Sequence, residues 1–192
     1  LIDSKLLCNI YYLLIIIYIN LLGSEWHIIL KKMFNIALYQ PDIPQNTAAI
    51  IRICSCFGAT LEIIEPCGFH LNDKRLKRVV MDYLDKSKII TYESYENFLF
   101  KKKNSRVILM TTKSNTNYFD FKFKAKDTLL FGRESSGVPK SVHNNSYERL
   151  KIPLENNKRS LNISTAVAII LSEALKQNSF FSKWFTIFIP KK

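Results

Sequence analysis

Thiols, imidazoles and carboxylates are all scarce in this chain. Four cysteines among 192 residues (Cys8, Cys54, Cys56 and Cys67) do not make a disulfide framework. Cys54 and Cys56 lie two apart on a predicted helix and therefore point to different faces. The three histidines, His27, His70 and His143, are scattered and form no pair at ligand spacing, which argues against a zinc site. The expectation is four reduced thiols in a cytoplasmic protein without a bound metal. Acidic residues number 16 against 28 Lys and Arg, leaving a formal net charge of +12. So one-sided a balance fits attraction to a polyanion, although a basic soluble surface or the Lys-, Asn-, Ile-, Phe- and Tyr-rich usage of an AT-rich genome produces the same total. Internal repeats, linkers and low-complexity tracts are also missing.

What is present suits one folded domain: the length is short for two, and 47% of residues are hydrophobic and 23% charged. Strand and helix patterns alternate. Residues 34–39 read as a strand, broken by Pro41 and Pro44. Asn46 or Thr47 then caps a helix reaching about Phe57, which Gly58 stops as a left-handed C′ residue. Residues 60–64 form the next strand, 73–84 a basic helix, 88–92 a strand, 94–100 a helix and 107–110 an apolar strand entering the loop TTKSN. Two further apolar runs, 128–131 and 150–153, each feed a polar loop rich in glycine or serine, and each loop enters a helix. The last helix is the clearest, with Ile163, Ala166, Val167, Ile170, Leu171, Ala174 and Leu175 on one stripe. Phe119, Phe121 and Phe123 alternate with polar residues as in a half-buried strand. The alternation predicts an α/β fold, a largely parallel sheet with helices on both faces, and ligands at the carboxyl ends of its strands.

Five segments stand in one order: FNIALYQPDIPQNTAAIIRICSCFGATLEIIEPCGF (34–69), DKRLKR (73–78), LMTTK (109–113), FGRESSGVP, and KIPLENNKRSLNISTAVAI. In order and spacing this set resembles the SPOUT methyltransferases, and most closely their TrmL or YibK-like branch, over residues 33–177. The resemblance implies a trefoil knot in the C-terminal part, S-adenosylmethionine as methyl donor, and 2′-O-methylation of the ribose at the anticodon wobble nucleotide of certain tRNAs. It also implies a homodimer whose two-fold interface is built by the knot region and the last helix. Two rival readings remain open: the same chemistry at another tRNA or rRNA site, and a non-catalytic RNA-binding or assembly protein.

Carried over by motif, the donor is held by Met110, Gly132, Ile152, Ser160 and Leu161. Glycine at 132 would let backbone approach a ligand closely, and Met110, Ile152 and Leu161 would wall an adenine, although a turn glycine and ordinary core explain the same residues. Arg52 matches the arginine placed at the reacting hydroxyl and interrupts an apolar run of its helix. A guanidinium is a poor proton acceptor, so its expected work is to grip the adjacent phosphate and orient the hydroxyl, and whether it also acts as the base is left open. Glu134 is expected to orient Arg52, across a dimer interface in the family, and Asn162 completes the catalytic set unless it is only a helix cap. RNA contacts are expected from Lys74, Arg75, Lys77 and Arg78, with Lys113 nearer the reaction; Lys101 to Lys103 read as a solvated helix end. Ala48 and Ala49 replace a Gly and an Asn usual in the family. Arg133 replaces a proline of some relatives and adds positive charge beside the donor pocket.

Residues 6–22, LLCNIYYLLIIIYINLL, carry no charge and sit at the lower length limit of a membrane span. The chain begins with Leu1 rather than methionine and the resemblance begins at Met33. The expectation is that residues 1–32 are an apolar leader outside the enzyme, with no membrane association unless that leader is genuine. Residues 178–192 stay unassigned.

Overall fold

The computed structural model describes residues 34–71, 80, 88–156 and 158–178. The chain divides between Lys32 and Met33 into two units, and every described residue belongs to the second. Residues 1–32, the tail beyond Asn178 and most of the predicted basic helix lie outside the described residues; of that helix only Val80, helical and buried, is described. Among the described residues no helix is long and apolar enough to cross a membrane.

Six strands, β1 (Asn35–Tyr39), β2 (Thr60–Ile64), β3 (Ile89–Tyr92), β4 (Val107–Met110), β5 (Thr128–Phe131) and β6 (Glu148–Leu150), form one parallel sheet in the order β3-β2-β1-β5-β4-β6. Side chains alternate across it, as the pleat requires. Ile36, Leu38, Leu61, Ile63, Ile108, Leu129 and Phe131 face a core shared with α1 (Pro44–Phe57) and α4 (Ile163–Gln177). Ala37, Tyr39, Ile64, Leu109 and Leu130 face a second core under α2 (Tyr95–Lys101) and α3 (Lys140–Asn145). Both faces are thus covered, as the near-continuous apolar strands predict. The order β1, β2, β3 runs outward one way, whereas β4 starts on the other side and β5 slots between it and β1. That reversal gathers the loops after β1, β4, β5 and β6 at one end of the sheet, where open α/β sheets hold ligands.

Several local expectations need correction. Neither Asn46 nor Thr47 caps α1: the helix begins at Pro44, whose missing N–H would be unpaired at that position anyway, with Ile43 as an N-cap that makes no side-chain bond. Gly58 does stop this helix, in the left-handed conformation at φ 66°. Ala48, in the position usually glycine, is fully buried in the core. The strand expected over 150–153 lies earlier, at Glu148–Leu150. Beyond it the Lys151 N–H turns to the Thr116 carbonyl (2.9 Å) and Pro153 has no N–H to give. The alternating phenylalanines do not form a strand. Tyr118–Asp120 is a single 3-10 turn, with the Asn117 side-chain amide donating to Asp120 (3.2 Å). Phe123 is buried, Phe119 is exposed, and the Phe121 ring lies 5.1 Å from the Arg106 guanidinium. Lys102 is not solvated either; its ammonium pairs with the buried Glu62 on β2.

Candidate functional site

The loops gathered by the strand reversal enclose a cleft of about 560 Å³, within the size range of small-molecule sites. Eight of the site residues expected from sequence line it: Met110, Lys113, Gly132, Glu134, Ile152, Ser160, Leu161 and Asn162. Met110 ends β4, Gly132 follows β5, and Ile152 follows β6, so three neighbouring strands deliver one wall each. Ser160 to Asn162 close the cleft from the start of α4. Leu161 and Ile43, 39% and 41% exposed, leave apolar surface uncovered at this cleft. An uncovered apolar lip beside backbone polar groups suits a flat heteroaromatic ring such as adenine.

Gly132 is required by its own loop. A Cβ there would lie 2.7 Å from the Gly137 carbonyl carbon and 2.9 Å from its Cα, distances no side chain tolerates. The loop folds back so that Arg133 and Gly137 exchange backbone hydrogen bonds of 3.0 and 2.9 Å, with Gly137 left-handed at φ 69°. Close approach of backbone to backbone, rather than to a ligand alone, therefore fixes this glycine.

Arg133 does not leave a loose positive charge beside the cleft. Its Nε donates to Asp42 Oδ1 (3.1 Å), its Nη2 pairs with the same oxygen, and the Ser135 N–H (3.2 Å) and hydroxyl reach the other. These bonds, that from Arg133 foremost, hold the Asp42 carboxyl down at about 2. The loop after β5 is thereby fastened to the loop after β1.

Glu134 spans the same junction. It accepts from the Asp42 N–H (2.9 Å) and from Asn46 Nδ2 (3.0 Å). Asn46 in turn accepts from Asn162 Nδ2 (2.9 Å), and Asn162 Oδ1 caps α4 by accepting from the Ser164 N–H (2.9 Å) and hydroxyl (2.7 Å). Asn162 is thus a helix cap and a member of a side-chain chain at once. Asn46, which also lines the cleft, has no place in the site expected from sequence. Its only signal was a position in the motif NTAAIIR, where it read as a cap.

Arg52 is exposed on α1 and is not among the residues lining this cleft. Lys74, Arg75, Lys77 and Arg78 lie outside the described residues, so their expected RNA contacts have no structural account. The apolar stripe of α4 is largely taken up inside the subunit: Ile163, Val167, Ile170, Leu171, Ala174 and Leu175 are buried, and the half-buried Ala166 lines the cleft. Among the described residues no group of three or more His, Cys, Asp or Glu is placed to hold a metal ion.

Residues 33–172 match the SpoU rRNA Methylase family. A protein of Beijerinckia indica named tRNA (cytidine(34)-2′-O)-methyltransferase is 43% identical over 150 residues, covering 77% of this chain and 94% of its own length. A solved structure described as "Structural insights into the 2-OH methylation of C/U34 on tRNA" shares 34% identity at a TM-score of 0.75, covering 78% of this chain and 99% of that one. The fold is also that of AviRb, a SpoU methyltransferase from Streptomyces viridochromogenes solved with the cofactor AdoMet, at 21% identity and a TM-score of 0.71, covering 77% of this chain and 61% of that one.

Proposed function

Because the chain belongs to the SpoU rRNA methylase family, we propose that it methylates the ribose 2′-hydroxyl of the anticodon wobble nucleotide of tRNA, with S-adenosylmethionine as donor. The observation that carries this reading is the convergence of Met110, Gly132, Glu134, Ile152, Ser160, Leu161 and Asn162 on one cleft. They come from three separate segments, the end of β4, the loop after β5 and the connection from β6 to α4, and the chain shares 43% identity with a relative bearing that activity in its name.

The donor fits the residues present. Met110, Ile152 and Leu161 would enclose the adenine, while the reversed loop at Gly132 and the segment at Ser160 would hold the rest. When bound, the donor supplies an electrophilic methyl group on sulfur. Everything else falls to the chain. Asn46 and Glu134 hold the loops after β1 and β5 in register, so the acceptor meets a preformed surface. Arg52 would fix the phosphate beside the target ribose and orient its hydroxyl, contributing by positioning and electrostatics. No metal enters the chemistry.

The finer assignments belong to the same proposal. The protein acts in the cytoplasm, as a homodimer, with the C-terminal segment forming a trefoil knot. What supports the homodimer is that Arg52 stands outside the lining of its own cleft, so one subunit alone lacks the group assigned to the ribose. Residues 33–177 carry the activity, and protein beginning at Met33 should be soluble and fully active.

Mapping 2′-O-methyl groups on total tRNA from a deletion strain tests the function. Loss confined to wobble nucleotides supports it, and a lost methyl elsewhere in tRNA or rRNA would move the activity to that site.

A further inference from the structure

Cations outnumber acids on the walls of the cleft, and not all of them are neutralised. Glu134 is the one carboxylate among the described residues lining it, and both its oxygens are already occupied by Asp42 and Asn46. Arg133 is neutralised by Asp42. Lys113 and His143 line the same cavity and make no ion pair with an acid among the described residues. They come from different elements, Lys113 from the loop after β4 and His143 from α3. Arg149, on the edge strand β6, lies outside the lining but near enough for its charge to act on His143. Two segments of chain thus bring a positive and a protonatable group to the cleft, with the charge of Arg149 behind them.

We propose that Lys113 and His143, backed by Arg149, form a phosphate subsite that holds the RNA backbone beside the nucleotide being methylated, an inference that rests on the RNA methyltransferase reading above. The heteroaromatic ring of the donor would leave the charge of Lys113 unmet by any acid among the described residues. An arriving phosphate offers each of them a charge-assisted hydrogen bond.

The same arrangement links binding to a proton. Burial first, then the charges of Lys113 and Arg149, keep the His143 imidazole below its ordinary value, so it is neutral in the empty cleft near neutral pH. The charged groups that act on it from neighbouring elements are both cations, and the one charged residue besides it on its own helix, Lys140, is exposed. A phosphate reverses the sign of that environment and raises the imidazole's affinity for a proton. Binding therefore takes up a proton, and affinity for RNA rises as the pH falls into the imidazole range.

The test uses full-length protein with unfractionated tRNA and, separately, S-adenosylmethionine. Wild-type protein should bind tRNA more tightly at about pH 6 than at about pH 7.5, and His143→Gln should remove most of that gain. At the lower pH His143→Gln should bind tRNA roughly tenfold more weakly than wild type, the scale of one charge-assisted bond. Lys113→Met should weaken binding at both pH values and reduce the salt slope by about one. Because Lys113 is exposed, that variant keeps the test decisive even if His143→Gln folds poorly. Donor affinity should be unchanged in both. Loss of donor affinity in place of RNA affinity would assign the oxyanion to the donor's carboxylate and overturn the subsite. Variants that match wild type would reduce these residues to a solvated rim. Failure of the function itself reads differently, as wild-type protein that neither binds nor methylates tRNA.

Discussion

Asn46 near the start of α1 and Asn162 at the start of α4 share a 2.9 Å hydrogen bond across 116 residues of sequence. Asn46 spends its amide N–H on Glu134 in the loop after β5. Three pieces of the cleft, the beginnings of two helices and the turn after a central strand, are therefore set relative to one another by one side-chain amide. Its carbonyl oxygen and its NH₂ group have different partners, so the two ends of Asn46 are not interchangeable.

That polarity makes Asn46 sensitive to charge. Asn46→Ala leaves Glu134 short of a donor and should cost about 1 to 3 kcal/mol in a denaturant titration. It should also slow turnover roughly a hundredfold, since the walls of the cleft lose their mutual placement. Asn46→Asp sets a second carboxylate against Glu134 and should be at least as damaging, despite its near-identical shape. Near-normal turnover in the Asp variant would detach this contact from catalysis.

Gly132→Ala should abolish donor binding measured by calorimetry. Its methyl would meet backbone atoms of Gly137, which cannot swing aside as a side chain would. Preserved affinity would mean that the loop reopens without disturbing the cleft.

The link between Asp42 and Arg133 should survive acid well below neutrality. The Asp42 carboxyl sits at about 2 in the folded chain against 3.8 for the free group. A depressed carboxyl contributes stability fully above the free value, and that contribution is lost as the pH falls through about 2. Donor affinity should therefore show no acid limb from this residue between about pH 7 and pH 4. Asp42→Asn should weaken donor binding over that whole interval. An acid limb near pH 5 that disappears in Asp42→Asn would contradict the assignment.

Thiol chemistry should distinguish neighbours on one helix. Cys54 is buried, and burial pushes its thiol up to about 12; Cys56, two residues on, is exposed. Alkylation of native protein followed by peptide mapping should mark Cys56 and spare Cys54 until the protein is unfolded. Equal labelling would show that α1 is not docked as described.

Much of the fold was legible because its signals are local. The strands at 60–64, 107–110 and 128–131 are short apolar runs bounded by turn residues, and they were read to the residue. The stop at Gly58 rests on a backbone conformation that glycine adopts without strain. Errors arose where a distant partner decides. Glu148–Leu150 ends where it does because Lys151 finds the Thr116 carbonyl, 35 residues back, and the alternation of Phe119, Phe121 and Phe123 was overruled by a local turn and by Arg106. At the site, motif spacing found the walls of the cleft but not their reasons. The need for Gly132 is set by Gly137, and the work of Asn46 by residues 88 and 116 positions away. Arg133, legible as a charge, became an anchor only when the loop after β1 brought Asp42 to it.

The most direct measurement incubates purified protein with S-adenosylmethionine and tRNA from a deletion strain, digests the RNA, and locates the new methyl by mass spectrometry. Wild-type protein should place one methyl on the ribose of the wobble nucleotide without added metal. Arg52→Ala should keep its donor affinity while turnover falls by roughly a hundredfold or more, the scale of losing one preorganised charge-stabilising group. A methyl on a base or at another position, or undiminished turnover by Arg52→Ala, would contradict the assignment.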